Sequence, residues 1–292
     1  MNTAEHPSAW WLASPMAGVL LVFFALPLAV IAMVSFWNYT GYSIVPAFRI
    51  DNYVGIFDGC WPGGAEPCVV LSTYLSTLFF CFGTWAITLI LGFCVAYFLV
   101  FEVQSVKIRI GLGILCTIPF WTSNVIRMIS WIPLLGRNGI VNLVLLHLHV
   151  INHPLEWLLY SRFAVMIALV HINTVFMIVP LLNSMARIDP ALIEAARDAG
   201  AGWWQTLRSV IIPLCRSGLA IGSIFVITVV MGDYITVGLM GGEQIPSVGK
   251  TIQTQIDALQ FPIAAANAVL LLAFVLMMII ALIRIVDIRQ EL

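Results

Sequence analysis

A charged stretch between two apolar segments has the chemistry of a protein-docking surface rather than of a catalytic centre. Ala195 and Ala196 leave a small-residue surface that another protein can approach closely. Glu194, Arg197 and Asp198 place charges at the edge of that surface. A helix lying on a membrane would need a wide apolar face opposite Lys and Arg side chains, and this stretch has neither. The pattern therefore predicts a segment that engages a separate protein chain.

The stretch, residues 187–216 and hereafter the docking loop, carries helix start and stop signals. Asp189 is a good N-cap, and Pro190 suits the first helical position, where a missing N–H costs nothing. Gly200 suits a position after the helix that must turn left-handed. The helices expected on this basis are Ala191–Ala199 and then Trp203–Ile212, the second ended by Pro213.

Polar side chains also lie within apolar segments. Asp233, followed by Tyr234, is a functional candidate because a carboxylate in a spanning helix is costly. It could meet a cationic solute, pair with Arg127, or cap a broken helix. Trp121, Asn124 and Arg127 suit a polar passage, and the alternative is an interfacial aromatic belt with Arg127 reaching to the membrane surface.

Several motif matches carry less weight. Residues 249–251 resemble the end of a phosphate-binding loop, but Gln244 stands where that loop requires glycine. His147, His149 and His153 have spacing that can bind metal, yet no fourth ligand is evident. The chain has no nucleophile elbow and no His-Glu-x-x-His pair. We therefore expect no catalytic set, no metal and no cofactor in this chain.

Composition defines the elements that must position these residues. The chain is 61% hydrophobic and 9% charged, whereas soluble domains carry about 25% charged residues. A formal net charge of −1 gives no electrostatic basis for nucleic-acid binding. The chain is therefore expected to be an all-α integral membrane protein. Segments with the roughly 20 apolar residues that a spanning helix needs are Pro15–Trp37, Val70–Phe101, Ile108–Leu135, Phe163–Met185, Leu214–Tyr234 and Ala264–Ile288.

The distribution of Lys and Arg predicts how these six spans are oriented. If the N-terminus is cytoplasmic, eight Lys and Arg residues fall on the cytoplasmic side and four on the outer side, with Arg127 inside a span. The positive-inside rule then favours N-in and C-in, which places the docking loop in the cytoplasm. Residues 140–148 are apolar but too short to span, and we expect a helix on the outer face. Cys60 and Cys68 flank an outer loop, where a disulfide is permitted, and we predict that they are bridged.

The motifs resemble a known family. Glu194-Ala195-Ala196, with Gly200 six residues after the glutamate and Ile211-Ile212-Pro213-Leu214 beyond it, resembles the EAA loop of binding-protein-dependent ABC transporter permeases. The spermidine/putrescine, or polyamine-type, subfamily has similar motifs from the second span onward. They are Pro119-Phe120-Trp121-Thr122, Gly139-Ile140-Val141-Asn142, Gly232-Asp233-Tyr234 and Met240-Gly241-Gly242.

The resemblance implies a type I importer permease in which residues 1–292 form a single transmembrane domain. It further implies that the docking loop is a cytoplasmic coupling helix, in which Glu194, Ala195, Ala196, Arg197, Asp198 and Gly200 contact an ATPase. The implied partners are a second, similar permease, two ATPase chains that bind ATP and Mg, and an extracytoplasmic binding protein. The implied location is the bacterial inner membrane, and the implied solute is a polyamine or a related amine or opine-type compound.

One alternative function follows from the residues themselves. An ion channel or ion-gradient-coupled carrier could use the docking loop to bind a cytoplasmic regulator. The absence of internal repeats, which many carriers have, and the few carboxylates inside the spans weigh against it. A membrane-embedded enzyme would need the catalytic set that the sequence lacks.

Overall fold

The computed structural model describes residues 9–41, 43–60 and 68–286, which are predominantly helical. Strand structure in this part of the chain is one short antiparallel hairpin. The chain divides into two compact units, the first formed by Met1–Val70 with Thr251–Leu272 and the second by Leu71–Lys250 with Ala273–Leu292. The dominance of helix agrees with the expected all-α membrane class.

The N-terminal part of the first unit is a span followed by a small folded cap. Its elements are α1 (Ala9–Leu20), α2 (Leu26–Val34), β1 (Asn38–Tyr39), β2 (Ile44–Val45) and α3 (Asp51–Ile56). A wider π turn over Leu21–Ala25 joins α1 to α2, so that Ser14–Val34 is one candidate span. None of its apolar window is buried. The side chains of this span are therefore exposed, and lipid or another subunit could contact them.

Hydrogen bonds and a disulfide order the segment after the first span. The hydroxyl oxygens of Ser35 and Tyr53 lie 2.7 Å apart. The Asn52 side-chain amide donates to the carbonyl oxygens of Ser35 and Trp37, each at 2.8 Å. Cys60 and Cys68, the pair predicted to bridge, form a disulfide; residues 61–67 between them lie outside the described residues.

The remaining helices carry the other spans and the docking loop. They are α4 (Val69–Tyr97), α5 (Val106–Thr117), α6 (Asn124–Leu135), α7 (Ile140–His147), α8 (Arg162–Met185), α9 (Pro190–Asp198), α10 (Trp203–Thr206), α11 (Ile212–Leu214), α12 (Arg216–Gly232), α13 (Ile235–Gly241), α14 (Val248–Asp257) and α15 (Phe261–Val286). Further π turns, Phe98–Glu102 and Leu207–Ile211, extend α4 and join α10 to α11.

Five described helices are long and apolar enough to cross a membrane, and a sixth is obtained when a bent pair is counted as one span. Val69–Glu102, Glu156–Met185 and Phe261–Arg284 correspond to the second, fourth and sixth predicted spans. Residues 287 and 288, where the sixth was expected to end, lie outside the described residues. The bent pair is Trp203–Leu214 with Arg216–Gly232, which meet at 69°.

The third predicted span, Ile108–Leu135, is wrong as a continuous helix. The chain leaves α5 through a 3₁₀ turn over Ile118–Trp121, and Thr122 and Ser123 are extended. Pro119 removes a backbone donor and disfavours a continuing helix. The candidate span in this region is Asn124–His147, which comprises α6, the turn after it and α7. The short helix expected at residues 140–148 is present as α7 (Ile140–His147), and its expected position on the outer face stays a prediction.

The centre of the second unit is the packing of α8 against α12 and α4. Leu169, Met177 and Leu181 of α8 are fully buried, with Phe80 of α4 and Met231 of α12. The indole N–H of Trp85 on α4 donates to Ser223 Oγ on α12 at 2.8 Å. The docking loop and the Asp233 segment lie at the two ends of α12 in this bundle.

Candidate docking helix and polar membrane segments

The N-terminus of α9, the docking helix, is capped as the sequence predicts. Asp189 is the N-cap, and its side chain accepts a hydrogen bond from the backbone N–H of Ala191 at 2.9 Å. Pro190 is the first helical residue. A capped start of this kind contributes about 1 kcal/mol to helix stability, which helps a helix of only nine residues to form.

The C-terminus of the docking helix is also capped as the sequence predicts. Gly200 has φ +84°, in the left-handed region that favours glycine. Its N–H donates to the Arg197 carbonyl at 2.9 Å, and the Ala201 N–H donates to the Ala196 carbonyl at 3.0 Å. These two bonds form a Schellman motif. The orientation of the helix is therefore fixed at both ends by local hydrogen bonds.

One face of the docking helix is anchored and the other is free. Ile193 is buried against the second unit, whereas Glu194, Ala195, Arg197 and Asp198 are exposed. Ala196 lies between these extremes. The charged and small residues expected to dock thus form the open surface, which suits contact with another chain better than contact with the bundle.

The second helix of the docking loop departs from the prediction at its end. Pro213 does not stop it: a π turn over Leu207–Ile211 precedes α11, and the helix ends at Leu214. The π geometry shifts the hydrogen-bond partners upstream of the proline, so that its missing N–H is tolerated. The break falls at Cys215, which is buried, and α12 begins at the next residue.

Asp233 caps a broken helix, which is one of the two structural roles weighed from its sequence. Its Oδ1 accepts from the Thr236 N–H at 2.8 Å, and its Oδ2 accepts from the Thr236 hydroxyl at 2.6 Å. Asp233 thereby joins the end of α12 to the start of α13. Tyr234, beside it, is exposed. The other structural role, an ion pair with Arg127, is not among the ion pairs of the described residues.

Removing this cap is expected to destabilise the outer end of the bundle. Asp233→Ala should lower the free energy of unfolding by about 1 kcal/mol, the usual cost of losing an N-cap acceptor. Asp233→Asn should stay close to the wild type because its amide oxygen can still accept from the Thr236 N–H. Thermal unfolding of the two variants in detergent checks this. Equal melting temperatures for the two would show that the cap contributes nothing.

The sequence-predicted polar group near the start of α6 holds buried atoms without partners. Arg127 Nε and Nη1 and Asn124 Oδ1 are buried and make no hydrogen bond within the described residues. Trp121 is exposed at the end of the 3₁₀ turn. Further along α6, the Trp131 indole N–H donates to Nδ1 of His171 on α8 at 3.2 Å. The residues lie near one another in sequence, but none of the hydrogen bonds or ion pairs found among the described residues joins them to Asp233.

The remaining motifs have structural explanations. Gly249, in the segment that resembles the end of a phosphate-binding loop, lets α14 approach α12 closely. A Cβ on Gly249 would lie 2.8 Å from the Gly232 carbonyl oxygen. Lys250 Nζ donates to Glu243 Oε1 at 2.8 Å, and this bond lowers the pKa of Glu243 below its ordinary value. Among the described residues, no cluster that includes the three histidines could hold a metal ion.

The small-residue pattern of α12 packs within the chain. A Cβ on Gly218 would lie 2.7 Å from the Pro180 carbonyl oxygen, and one on Gly222 would lie 2.7 Å from Met177 Sδ. Both neighbours belong to α8. The close approach that these glycines permit is therefore between α12 and α8.

The candidate spans and the capped docking helix are features of a multi-pass membrane protein with a surface for another chain. Residues 109–291 match the model of the family described as binding-protein-dependent transport system inner membrane component. The chain belongs to this family, and it is a multi-pass permease subunit of an ABC importer. This assignment favours the importer over the channel or carrier.

A curated relative and two solved structures are similar to the chain. The spermidine/putrescine transport system permease protein PotB of Salmonella typhimurium strain SL1344 is 33% identical over 256 residues, covering 87% of this chain and 85% of the relative. A bacterial ABC transporter that imports the acidic polysaccharide alginate has a TM-score of 0.71 at 16% identity, covering 96% of each chain. A structure of a bacterial alginate ABC transporter in complex with an alginate pentasaccharide-bound periplasmic protein has a TM-score of 0.67 at 17% identity. The match covers 94% of this chain and 92% of that chain. The solved structures support the fold of a type I importer permease.

Proposed function

We propose that this permease subunit imports a polyamine or a related amine or opine-type compound across the bacterial inner membrane. The supporting observation is its identity over most of its length to permeases named for spermidine and putrescine. The carboxylate of Asp233, placed where α12 ends, is consistent with a cationic solute.

The chain works with three kinds of partner in this proposal. A second homologous permease completes the path, and two cytoplasmic ATPase chains bind ATP and Mg and dock on Glu194 to Gly200. A periplasmic protein delivers the solute, as supported by the fold neighbour solved with such a protein. Closure of the ATPase pair on ATP moves the docking helices and turns the path from inward- to outward-facing. This chain itself holds no cofactor and catalyses no reaction.

The solute path proposed here includes Asp233, Tyr234, Trp121, Asn124 and Arg127. The unpartnered buried atoms of Asn124 and Arg127 support their inclusion, because buried polar groups without partners are costly. A polar solute or its water shell would satisfy them during passage. Asp233 keeps its capping bonds in this arrangement and contributes its charge.

Gentle affinity purification of the tagged chain from its native membrane tests the assembly. We expect a P-loop ATPase and a second six-span permease to co-purify. Vesicles containing this complex and its binding protein should take up radiolabelled spermidine or putrescine only with ATP. Uptake that persists without ATP and collapses with the ion gradient would restore the carrier alternative, and a chain that purifies alone would contradict the proposed assembly.

A further inference from the structure

A pocket of about 240 Å³ lies between the docking helix and the C-terminal end of α4. Its volume is near the lower end of ligand pockets, which run from about 300 Å³ upward, so it suits a solute of a few atoms better than a nucleotide. The lining residues the argument uses are Tyr97, Phe101, Glu102, Glu194, Arg197 and Trp203.

Three aromatic rings line one side of the pocket in a fixed arrangement. The ring centroids of Tyr97 and Phe101 are 5.1 Å apart, and those of Tyr97 and Trp203 are 6.3 Å apart with the planes nearly perpendicular. The Trp203 indole N–H donates to the Tyr97 hydroxyl at 3.0 Å. The rings are thus held in position before any ligand arrives. Aromatic faces attract cations, more strongly where water is excluded.

The charged side chains of the pocket also favour a cationic ligand. Glu102 and Glu194 contribute two carboxylates and Arg197 one guanidinium, which leaves an excess of one negative charge. Among the described residues, neither glutamate is within 4.0 Å of a basic nitrogen, the Arg197 guanidinium included. Neither carboxylate is therefore neutralised by a basic side chain within the described part of the chain.

The pocket joins two elements that are remote in sequence. Phe101 and Glu102 lie in the π turn that ends α4, and Glu194 lies on the docking helix. π turns within helices often occur at functional sites. A ligand that touches both glutamates would tie the docking helix to the end of α4.

We infer that this pocket binds a small organic amine from the cytoplasmic side and that its occupancy restrains the docking helix. The ammonium group lies between the carboxylates of Glu102 and Glu194, against the rings of Tyr97 and Trp203. Restraint of the docking helix slows ATP turnover by the assembled transporter. The cation site depends only on the pocket, whereas identifying its natural ligand with the imported amine depends on the function proposed above.

Titration of the assembled transporter in lipid nanodiscs, without the binding protein, tests the pocket. The probe is 1,4-diaminobutane, and 1,4-butanediol is the uncharged control of the same length. We expect the diamine to quench tryptophan fluorescence saturably and to lower the ATPase rate, and the diol to do neither. Trp203→Phe should remove most of the fluorescence change, while calorimetry follows binding in that variant.

Glu102→Gln separates the pocket from the docking surface, because Glu102 lies outside the docking helix. Diamine affinity should fall about tenfold, as expected for losing one charge-assisted contact, and Glu102→Lys should abolish binding. Glu156→Gln, which removes an exposed carboxylate paired with Arg137, should bind as the wild type does. Equal affinity in Glu102→Gln and the wild type, or equal responses to diamine and diol, would overturn the inference.

Different measurements would refute the cation pocket and the proposed imported solute. Saturable diamine binding that needs Glu102, together with no ATP-dependent amine uptake, would refute the substrate while leaving the pocket intact. Normal amine uptake without any diamine binding at Glu102 would refute the pocket while leaving the substrate intact.

Discussion

Glu194→Lys is expected to abolish ATP-dependent uptake while the chain still inserts and folds. Glu194 is exposed on the docking helix and makes no ion pair among the described residues, so the substitution removes no internal contact of this kind. At a docking interface the reversed charge costs several kcal/mol, equivalent to a loss of association of at least about a hundredfold. Uptake by vesicles, alongside co-purification of the ATPase, measures both effects.

Two control variants make this result specific. Glu156→Lys reverses another exposed carboxylate, in a surface ion pair that is worth little, and should keep normal uptake. Glu102→Gln removes a carboxylate from the amine pocket without changing the docking surface, and it should also transport. Normal uptake by Glu194→Lys, with the ATPase still bound, would end the assignment of α9 as the coupling element.

Gly218→Ala is expected to be the most damaging small substitution in the bundle. Its Cβ would lie 2.6 Å from Ser184 Cβ and 2.7 Å from the Pro180 carbonyl oxygen. The Pro180 backbone cannot move aside cheaply, so the helices must separate. Overpacking of this kind costs about 1–3 kcal/mol, and the folded yield and melting temperature in detergent should both fall.

Other glycines in the same chain serve as matched controls for Gly218. Gly222→Ala meets the flexible end of Met177, with Sδ at 2.7 Å, and should cost less because that side chain can change rotamer. Gly113→Ala has nothing within 4 Å and should gain up to about 1 kcal/mol from helix propensity. A Gly218→Ala chain as stable as Gly113→Ala would show that α8 and α12 do not pack as described.

The docking helix was predictable because its determinants are local. Asp189, Pro190 and Gly200 act through hydrogen bonds and dihedral angles within a few residues, which sequence patterns encode directly. The third span was missed because hydropathy outweighed a local signal. Pro119 followed by Thr122 and Ser123 marks a helix stop and restart, but the flanking residues remained apolar throughout.

The features that could not be predicted depend on contacts between distant residues. Glycines with the spacing of Gly218 and Gly222 suit close helix packing, but only the fold identifies Pro180 as the neighbour of Gly218. The sequence left open whether Asp233 contacts the solute or has a structural role. Its partner, Thr236, belongs to a new helix that starts just after α12, and hydropathy does not show this break. Tyr97 and Trp203 meet across 106 positions, so the pocket has no sequence motif.

A bend of 69° at Cys215 divides this part of the chain into two arms, Trp203–Leu214 of the docking loop and Arg216–Gly232, which is α12. Cys215, at the elbow between these arms, is buried, and under the coupling proposed above a movement of the docking loop would swing α12. α12 has 17 residues, so that arm is roughly 26 Å long at 1.5 Å per residue. A rotation of about 5° at the elbow would displace Asp233 by roughly 2 Å over that length. Under the proposed coupling, the displacement of α12 would therefore be largest at its Asp233 end.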